Sequence, residues 1–335
     1  MPGFWRATRG RLRACGHTDR AIAVVLLVVA VVWLTACGRA KAEDPPARIV
    51  ISVGPADGVF ETVGEALAAA YDELPGIDAS TRHSLNSRTS ADELERGEVD
   101  LALEGARTTY LAYRKGTPDY PAPHTKLRAL AVLFPTVVHI VVHRQSGIQT
   151  VADMKGRRIF VGPAGSSTEA ASRVVLESHG VGFQDIQPVY DRELVIDDFS
   201  NLRLDGIFYF SPVGDALAVA TMRADDAMLI PIDPEMMEPI RSRDRLLKPA
   251  FIAKGAYEGQ VEAVLTVGSD VLLAARQDLP EGLVYVLTKR LFESADRLSG
   301  AHQAARYIDP DRGPETPIPL HRGATRYYRE RELFR

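Results

Sequence analysis

The stretch FVGPAGSSTE, residues 160–169, decides the fold. An apolar strand end runs into a loop with two glycines, and three hydroxyl side chains and a glutamate then open a helix. A second stretch, GPADGVFETVGEAL from residue 54, repeats the order of strand, glycine-bounded loop and helix. This order is typical of a parallel α/β sheet, in which ligands bind beyond the carboxyl ends of the strands. The two stretches therefore predict two half-sites that face one small ligand.

The composition is that of a soluble globular protein with room for two compact domains. Of the 335 residues, 46% are hydrophobic and 25% are charged, which argues against disorder and against a multi-span membrane protein. The formal net charge is −4, and the first 37 residues hold five arginines and one aspartate, so removing their net +4 leaves −8. An acidic body lacks the basic face that nucleic-acid phosphates require, and we expect no nucleic-acid partner.

Residues 1–37 are typical of a lipoprotein signal peptide. An arginine-rich front precedes an uncharged apolar stretch at 21–36, and residues 34–37, Leu-Thr-Ala-Cys, resemble a bacterial lipobox. We expect lipidation of Cys37, export, and a lipid anchor that holds the protein at a membrane facing the periplasm or the cell exterior. The alternatives are an uncleaved anchor, for which the stretch is shorter than the roughly 20 residues that span a bilayer, and a buried apolar helix.

The rest of the chain indicates a tether and two α/β lobes with a cleft between them. The predicted ranges are a tether at 38–48, a first lobe at 49–140, a second lobe at 141–257, and a return to the first lobe with a C-terminal helix and tail at 258–335. We expect strands near His139 and Val264 to cross between the lobes, and Pro135 to split one stretch into two strands. The segment TSADELERG predicts a helix capped by Thr89 or Ser90, with Glu93 in the capping-box position.

The loop after Gly162 has the features of an anion site. A helix N-terminus carries unpaired N–H groups and a partial positive charge. Gly162 and Gly165 allow close backbone approach, and three hydroxyl donors follow. The loop therefore predicts a carboxylate or phosphate ligand. The alternative is that Ser166 or Ser167 only caps the helix.

The sequence contains no motif for catalysis, for a cofactor or for a metal. Cys15 and Cys37 are the only cysteines, so the exported body has no disulfide, iron–sulfur cluster or cysteine nucleophile. His139 and His143 share one strand face and are interpreted as sheet residues, with metal binding as the alternative. No Gly-Lys-Ser/Thr follows the glycine loop and no Gly-x-Ser-x-Gly is present. We expect a binding protein and not an enzyme, without cofactor or metal.

Four stretches, in this order, resemble the TAXI-type solute receptors of TRAP transporters. They are GPADGVFETVGEAL, GEVDLALEGARTTYLAYRKG, the run at 127–181 and PIPLHRGATRYYRE, and they extend over residues 49–330. The resemblance implies a type II periplasmic-binding-protein fold with two crossing strands. It also implies that the cleft closes on a small carboxylate-bearing solute, either an amino acid or a dicarboxylate or 2-oxo acid. The receptor would deliver that solute to an integral membrane permease driven by an ion gradient.

The same resemblance implies ligand contacts in five segments of the chain. The positions are Asp57, Gly58, Phe60, Ser84, Asn86, Ser87, Glu104, Gly165, Ser166, Ser167, Thr168, Glu169 and Phe210.

Two carboxylates depart from the pattern of the family. Asp57 stands where a small hydroxyl residue is expected, and Glu104 replaces a neutral polar residue. Because carboxylates near an anion site repel the anion, we expect them to pair with Arg82, His83 or Arg107. Without such a pairing, we expect the ligand to carry a cationic group, as an amino acid does, or the site to be altered or lost. The alternative is a turn at residue 57 and an outward side chain at residue 104.

Three other functions stay open at this point. One is a membrane-tethered lipoprotein of the same fold that senses a ligand or presents a surface to a partner without serving a permease. The second is the binding protein of an ATP-driven importer, and the third is a Ser/His hydrolase. Tyr327 and Tyr328 in the last stretch are interpreted as packing residues.

Overall fold

The structure is a computed structural model and describes residues 47–56 and 58–331. The predicted signal peptide, the lipidation at Cys37, most of the tether and Asp57 lie outside the described residues. The chain from Ala47 onward belongs to one compact unit. Within the described ranges, no helix combines the length and the apolar character needed to cross a membrane.

A single mixed sheet of ten strands runs through this unit. The strands are β1 (Ala47–Ser52), β2 (Ile77–Arg82), β3 (Leu101–Gly105), β4 (Leu127–His143), β5 (Arg158–Phe160), β6 (Gln187–Val189), β7 (Gly206–Ser211), β8 (Ala227–Leu229), β9 (Lys248–Ile252) and β10 (Val264–Arg276). Eight of them follow the order β2-β1-β3-β10-β4-β7-β5-β6, with β8 paired to β4 and β9 paired to β10.

Ten α-helices cover the sheet in the described part of the chain. They are α1 (Val59–Asp72), α2 (Ser87–Arg96), α3 (Ala106–Lys115), α4 (Ser167–Ser178), α5 (Val195–Ser200), α6 (Ala216–Met222), α7 (Met237–Arg243), α8 (Glu281–Glu293), α9 (Ala295–Ala301) and α10 (Arg322–Glu330). Short 3-10 helices lie between several of these elements.

Strands β4 and β10 divide the unit into two halves. The first half holds β1, β2 and β3, which are parallel to one another, and the second half holds β5, β6 and β7, which are also parallel. Strand β4 pairs with β10 up to Val137 and with β7 from Val137 onward, so the chain crosses at 135–137 and returns at 268–270. The expected fold class, an α/β fold of the type II periplasmic-binding-protein kind with two crossing strands, is confirmed.

The prediction that Pro135 splits a stretch into two strands is wrong. Strand β4 runs unbroken through Pro135 for 17 residues. The register with β10 shifts between Asp270 and Leu272, next to the pairing of Asp270 with Pro135. Proline has no N–H to donate to the neighbouring strand, and it is tolerated inside a sheet at a bulge, where the regular hydrogen bonding is interrupted. The bulge therefore allows the strand to continue through Pro135.

Each half has its own apolar core. In the first half, α1 and α8 pack on one face of the sheet, where Leu67, Leu103 and Leu287 are fully or almost fully buried. In the second half, α4 packs on a face of β5 and β7 through Leu176 and neighbouring side chains. Separate cores favour two halves that keep their own shape while the crossing strands bend.

The C-terminal helix α10 belongs to the first half. Tyr327 and Tyr328 are buried in its core, and the Tyr328 hydroxyl donates a hydrogen bond of 2.9 Å to the Leu130 carbonyl on β4. The interpretation of both tyrosines as packing residues is confirmed.

The prediction of the start of α2 is wrong. The helix begins at Ser87 and Asn86 caps it, because the Asn86 Oδ1 atom accepts the N–H groups of Arg88 at 3.0 Å and Thr89 at 3.2 Å. Ser90 lies inside the helix instead.

Candidate functional site

A cavity of about 810 Å³ lies between the two halves. Its wall includes the loops that follow β1, β2, β5 and β7, together with Gly105 at the end of β3. In open α/β sheets these carboxyl ends of strands are where ligands bind, and the volume suits a small molecule.

The structure brings ten of the thirteen predicted ligand residues to this cavity. They are Gly58, Phe60, Asn86, Ser87, Gly165, Ser166, Ser167, Thr168, Glu169 and Phe210. Ser84 and Glu104 are not part of the cavity wall, and Asp57 lies outside the described residues. Direct contact with a ligand stays a prediction for all thirteen.

The loop after β5 is shaped by two glycines and by the cap of α4. Gly162 and Gly165 both have positive φ, at 94° and 75°, a conformation that glycine adopts at little cost. The Ser166 hydroxyl oxygen accepts the N–H of Glu169 at 3.1 Å, so Ser166 caps the helix, and whether it also contacts a ligand stays a prediction. The Thr168 hydroxyl oxygen accepts the N–H of Phe210 at 3.3 Å, which ties the loop to the end of β7.

Glu169 occupies part of the predicted anion site. One of its carboxylate oxygens accepts the N–H of Gly165 at 2.5 Å, and the other lies 2.9 Å from an Nη atom of Arg173. The Arg173 guanidinium also lies over the ring of Phe183, 3.8 Å from its centroid. The protein's own carboxylate therefore holds a backbone donor that was predicted to bind a ligand.

Arginines from both halves face the cavity, and two of them have internal partners. Arg107 on α3 forms an ion pair with Asp244, which follows α7 in the opposite half. Arg173 is paired with Glu169. The other cavity carboxylate, Asp215, caps α6 through the N–H of Leu217 at 3.1 Å.

Arg88 and Arg192 also line the cavity. Within the described ranges neither of them forms an ion pair. A cavity that holds guanidinium groups without carboxylate partners attracts an anionic solute. The sequence prediction missed both arginines. The signal that could have found Arg88 is its place two residues after Asn86, at the start of a helix that faces the site.

Glu104 lies behind the wall of the cavity, fully buried under α2 and α3. Neither carboxyl oxygen has a hydrogen-bond partner among the described residues. Burial raises the pKa of Glu104 well above its ordinary value, the negative charge of Glu93 raises it further, and the hydroxyls of Ser90 and Thr109 oppose the rise. Burial therefore favours the protonated, neutral form of this side chain, which weakens its repulsion of an anion in the cavity.

The expected pairing of Glu104 with Arg82, His83 or Arg107 is wrong. Arg82 lies 3.2 Å from Glu93, and the other two side chains also have partners elsewhere. The alternative of an outward side chain at 104 is wrong as well. Strand β3 is covered on both faces, so a side chain at its end is buried whichever face it takes.

Ser84 belongs to a buried hydroxyl chain beside Glu104. Its Oγ lies 2.5 Å from Ser90 Oγ, and Ser90 Oγ lies 2.9 Å from Ser52 Oγ. This chain ties the start of α2 to the end of β1 and supports the wall from behind.

The two histidines of β4 are part of the sheet packing. His139 Nε2 lies 2.7 Å from the Tyr257 hydroxyl, and burial lowers the pKa of His139 to about 4. His143 Nε2 donates to the Phe199 carbonyl at 2.7 Å. No cluster of three or more His, Cys, Asp or Glu side chains with metal-site geometry occurs in the part of the chain that the structure describes.

A family model described as the NMT1-like family matches residues 51–331. The match takes in both halves of the fold and every described residue of the cavity. The chain belongs to the NMT1-like family. The finer resemblance to TAXI receptors is not tested by this match.

Several solved structures are similar to this NMT1-like chain. The periplasmic aliphatic sulphonate binding protein SsuA from Escherichia coli is 17% identical, with 86% of this chain and 88% of that chain covered and a TM-score of 0.47. An ancestral arginine-binding protein bound to arginine is 14% identical, with 78% and 99% covered and a TM-score of 0.48. A putative L-cystine ABC transporter from Listeria monocytogenes is 13% identical, with 78% and 98% covered and a TM-score of 0.48. At these values the similarities carry no argument about the ligand of this chain.

Proposed function

We propose that this protein is an extracytoplasmic solute receptor and not an enzyme. It binds a small carboxylate-bearing solute, such as an amino acid, a dicarboxylate or a 2-oxo acid, and hands it to a membrane permease. The observation that carries the proposal is the cavity itself, which is built from strand ends of both halves and holds two guanidinium groups, those of Arg88 and Arg192, without a carboxylate partner among the described residues.

Because both halves contribute to the cavity wall, ligand binding is coupled to the distance between them. A ligand that touches both halves binds the closed form, in which the approached halves both contact it, better than the open form, in which they are separated. The ligand therefore shifts the population toward the closed form by that difference in affinity. The separate cores and the two crossing strands support a hinged movement of this kind. The permease would then recognise the surface that the approached halves form together.

The TAXI resemblance supports a TRAP-type permease driven by an ion gradient as the partner. The lipobox-like residues 34–37 support an acyl anchor at Cys37 and a place at a membrane facing the periplasm or the cell exterior.

A thermal-shift experiment tests the receptor proposal. The full chain is purified in detergent, unfolded and refolded to remove bound ligand, and then heated with amino acids, dicarboxylates, 2-oxo acids or phosphate at millimolar concentration. A ligand at a hundred times its Kd adds about 2.7 kcal/mol to the free energy of unfolding, which raises Tm by several degrees. A folded chain that shifts with none of these solutes contradicts the proposal and favours a partner-presenting lipoprotein.

The permease type is tested by transport. The receptor and a candidate permease are placed in proteoliposomes with an ion gradient or with ATP. Uptake that needs the gradient supports the TRAP assignment, whereas uptake that needs ATP supports the importer alternative.

A further inference from the structure

We propose that Arg88 determines the specificity of the cavity by binding the acid group of the solute across the space between the halves, and that Gly165 gives its guanidinium room to do so. The inference rests on the proposed receptor function and names the group that selects an acid.

Hydrogen bonds hold the backbone of α2 in place around Arg88. It is the second residue of α2, and its own backbone N–H is held by the Asn86 Oδ1 atom at 3.0 Å. Behind it, Ser90 is fixed by hydrogen bonds to Ser84 and to Ser52. The backbone of α2 at this point is therefore held from two sides, and little is left to order when a ligand binds.

The guanidinium of Arg88 reaches the opposite half. A Cβ atom at Gly165 would lie 2.9 Å from Arg88 Cζ and would overlap one of its Nη atoms. Residue 165 thus has no space for any side chain while Arg88 keeps this position. Gly165 also has a φ of 75°, so the loop needs glycine there for two independent reasons.

Arg88 differs from Arg107 and Arg173, the two cavity arginines that have carboxylate partners. Arg107 crosses between the halves to Asp244, and Arg173 is neutralised by Glu169. Arg88 makes the same crossing, and it has no ion pair among the residues that the structure describes. A half-buried guanidinium without a counter-charge is costly, and an acid group in the cavity would offset that cost.

The chemistry of the guanidinium defines the group it binds. Its planar fork donates two parallel hydrogen bonds to a group with two oxygens, which a carboxylate or a sulfonate offers and an amide does not. The hydroxyls of Ser167 and Thr168 lie in the same wall as Gly165 and can donate to the same group.

The test compares each acid with its own amide by titration calorimetry on the refolded full chain. The probes are succinate and succinamide, alanine and alaninamide, and ethanesulfonate as a separate arm. We expect the wild type to bind at least one acid on the order of 30-fold more tightly than its amide, because hydrogen bonds to a charged group are the strong ones. Arg88→Gln should remove this preference by weakening the acid and leaving the amide within about threefold. Arg114→Gln, on an exposed arginine outside the cavity wall, is the matched control and should change neither.

A second variant isolates the role of Gly165. Gly165→Ala should weaken acid binding on the order of tenfold when Arg88 is present. It should have a much smaller effect in an Arg88→Ala background, since the overlap with the guanidinium is then gone. A merely structural role of Gly165 gives the same loss in both backgrounds and overturns this part of the inference.

Different results would contradict the role of Arg88 and the proposed receptor function. If Arg88→Gln keeps the preference for the acid, or if the wild type binds an amide as tightly as its acid, the role of Arg88 is wrong and the receptor stands. If the refolded wild type binds none of the probes, the proposed receptor for an acidic solute is itself wrong. A preference for ethanesulfonate over both carboxylates keeps Arg88 in its role and changes the solute class.

Discussion

The ion pair between Arg107 and Asp244 should set how often the halves separate in the absence of ligand. The pair joins α3 in the first half to the end of α7 in the second, and its side chains are 22% and 9% exposed. The change Asp244→Asn removes the charge but keeps an oxygen that can accept the N–H of Leu246, which Asp244 accepts at 3.1 Å. The variant therefore weakens the link between the halves without removing the local turn.

The magnitude follows from the exposure of the pair. Fully exposed ion pairs contribute about 0 to 1 kcal/mol and removing one partner of a buried pair costs about 3 to 5 kcal/mol. A pair that is mostly buried but open on the Arg107 side should lie between them, at about 1.5 kcal/mol, because water screens part of the interaction. Such a loss shifts the ratio of approached to separated forms by about tenfold.

Distance measurements by pulsed electron paramagnetic resonance test this. Spin labels are placed on exposed positions in the two halves by Lys115→Cys and Glu235→Cys, in a chain whose Cys15 and Cys37 are replaced by serine. Asp244→Asn should populate a longer distance that an added ligand removes. Arg241→Gln breaks an exposed pair with Glu238 inside the second half and should leave the distances unchanged. A distribution in Asp244→Asn that matches the parent chain would refute the reasoning.

Three further predictions concern buried polar groups, each measured by urea unfolding. Burial raises the folded-state pKa of Glu104, so above the unfolded pKa the folded chain binds more protons than the unfolded one, and stability falls as pH rises toward the folded pKa. Glu104→Gln should therefore gain on the wild type by up to about 1.4 kcal/mol per pH unit in that range; a difference that is constant with pH contradicts this. Tyr257→Phe should cost about 1 to 3 kcal/mol because it leaves His139 Nε2 without its partner at 2.7 Å, and an unchanged midpoint would show that the bond contributes nothing. Tyr328→Phe should cost about 1 kcal/mol through the loss of the hydrogen bond to Leu130, whereas an equally stable variant would mean that water replaces the hydroxyl.

Much of the fold could be predicted because its signals are local. Glycine-bounded loops between β-branched runs and helical periodicity mark strand, loop and helix directly. Pro135 was misjudged because the tolerance of a proline depends on the neighbouring strand, and the register shift opposite it in β10 is a tertiary feature. Whether a proline ends a strand is therefore decided by pairing that no local pattern contains.

The site was predicted in part for the same reason. The loops that line the cavity carry the glycines and hydroxyls that mark them. Arg88 was missed because the local pattern predicts Thr89 or Ser90 as the helix cap with Glu93 in the capping-box position, and this places Arg88 outside the helix. In the structure Glu93 accepts a hydrogen bond from Ser52 on β1 and pairs with Arg82. Glu93 therefore interacts with residues distant in sequence and not with the helix cap that the capping-box pattern predicts.

The space that Arg88 occupies at Gly165 also restricts how this protein can evolve. A lineage that acquires a side chain at position 165 while it keeps Arg88 must move the Arg88 guanidinium out of this position, whereas one that loses Arg88 first meets only the cost of a positive φ. The two positions can therefore diverge readily in one order and not in the other. Among descendants of such a chain, arginine at position 88 should occur together with glycine at position 165.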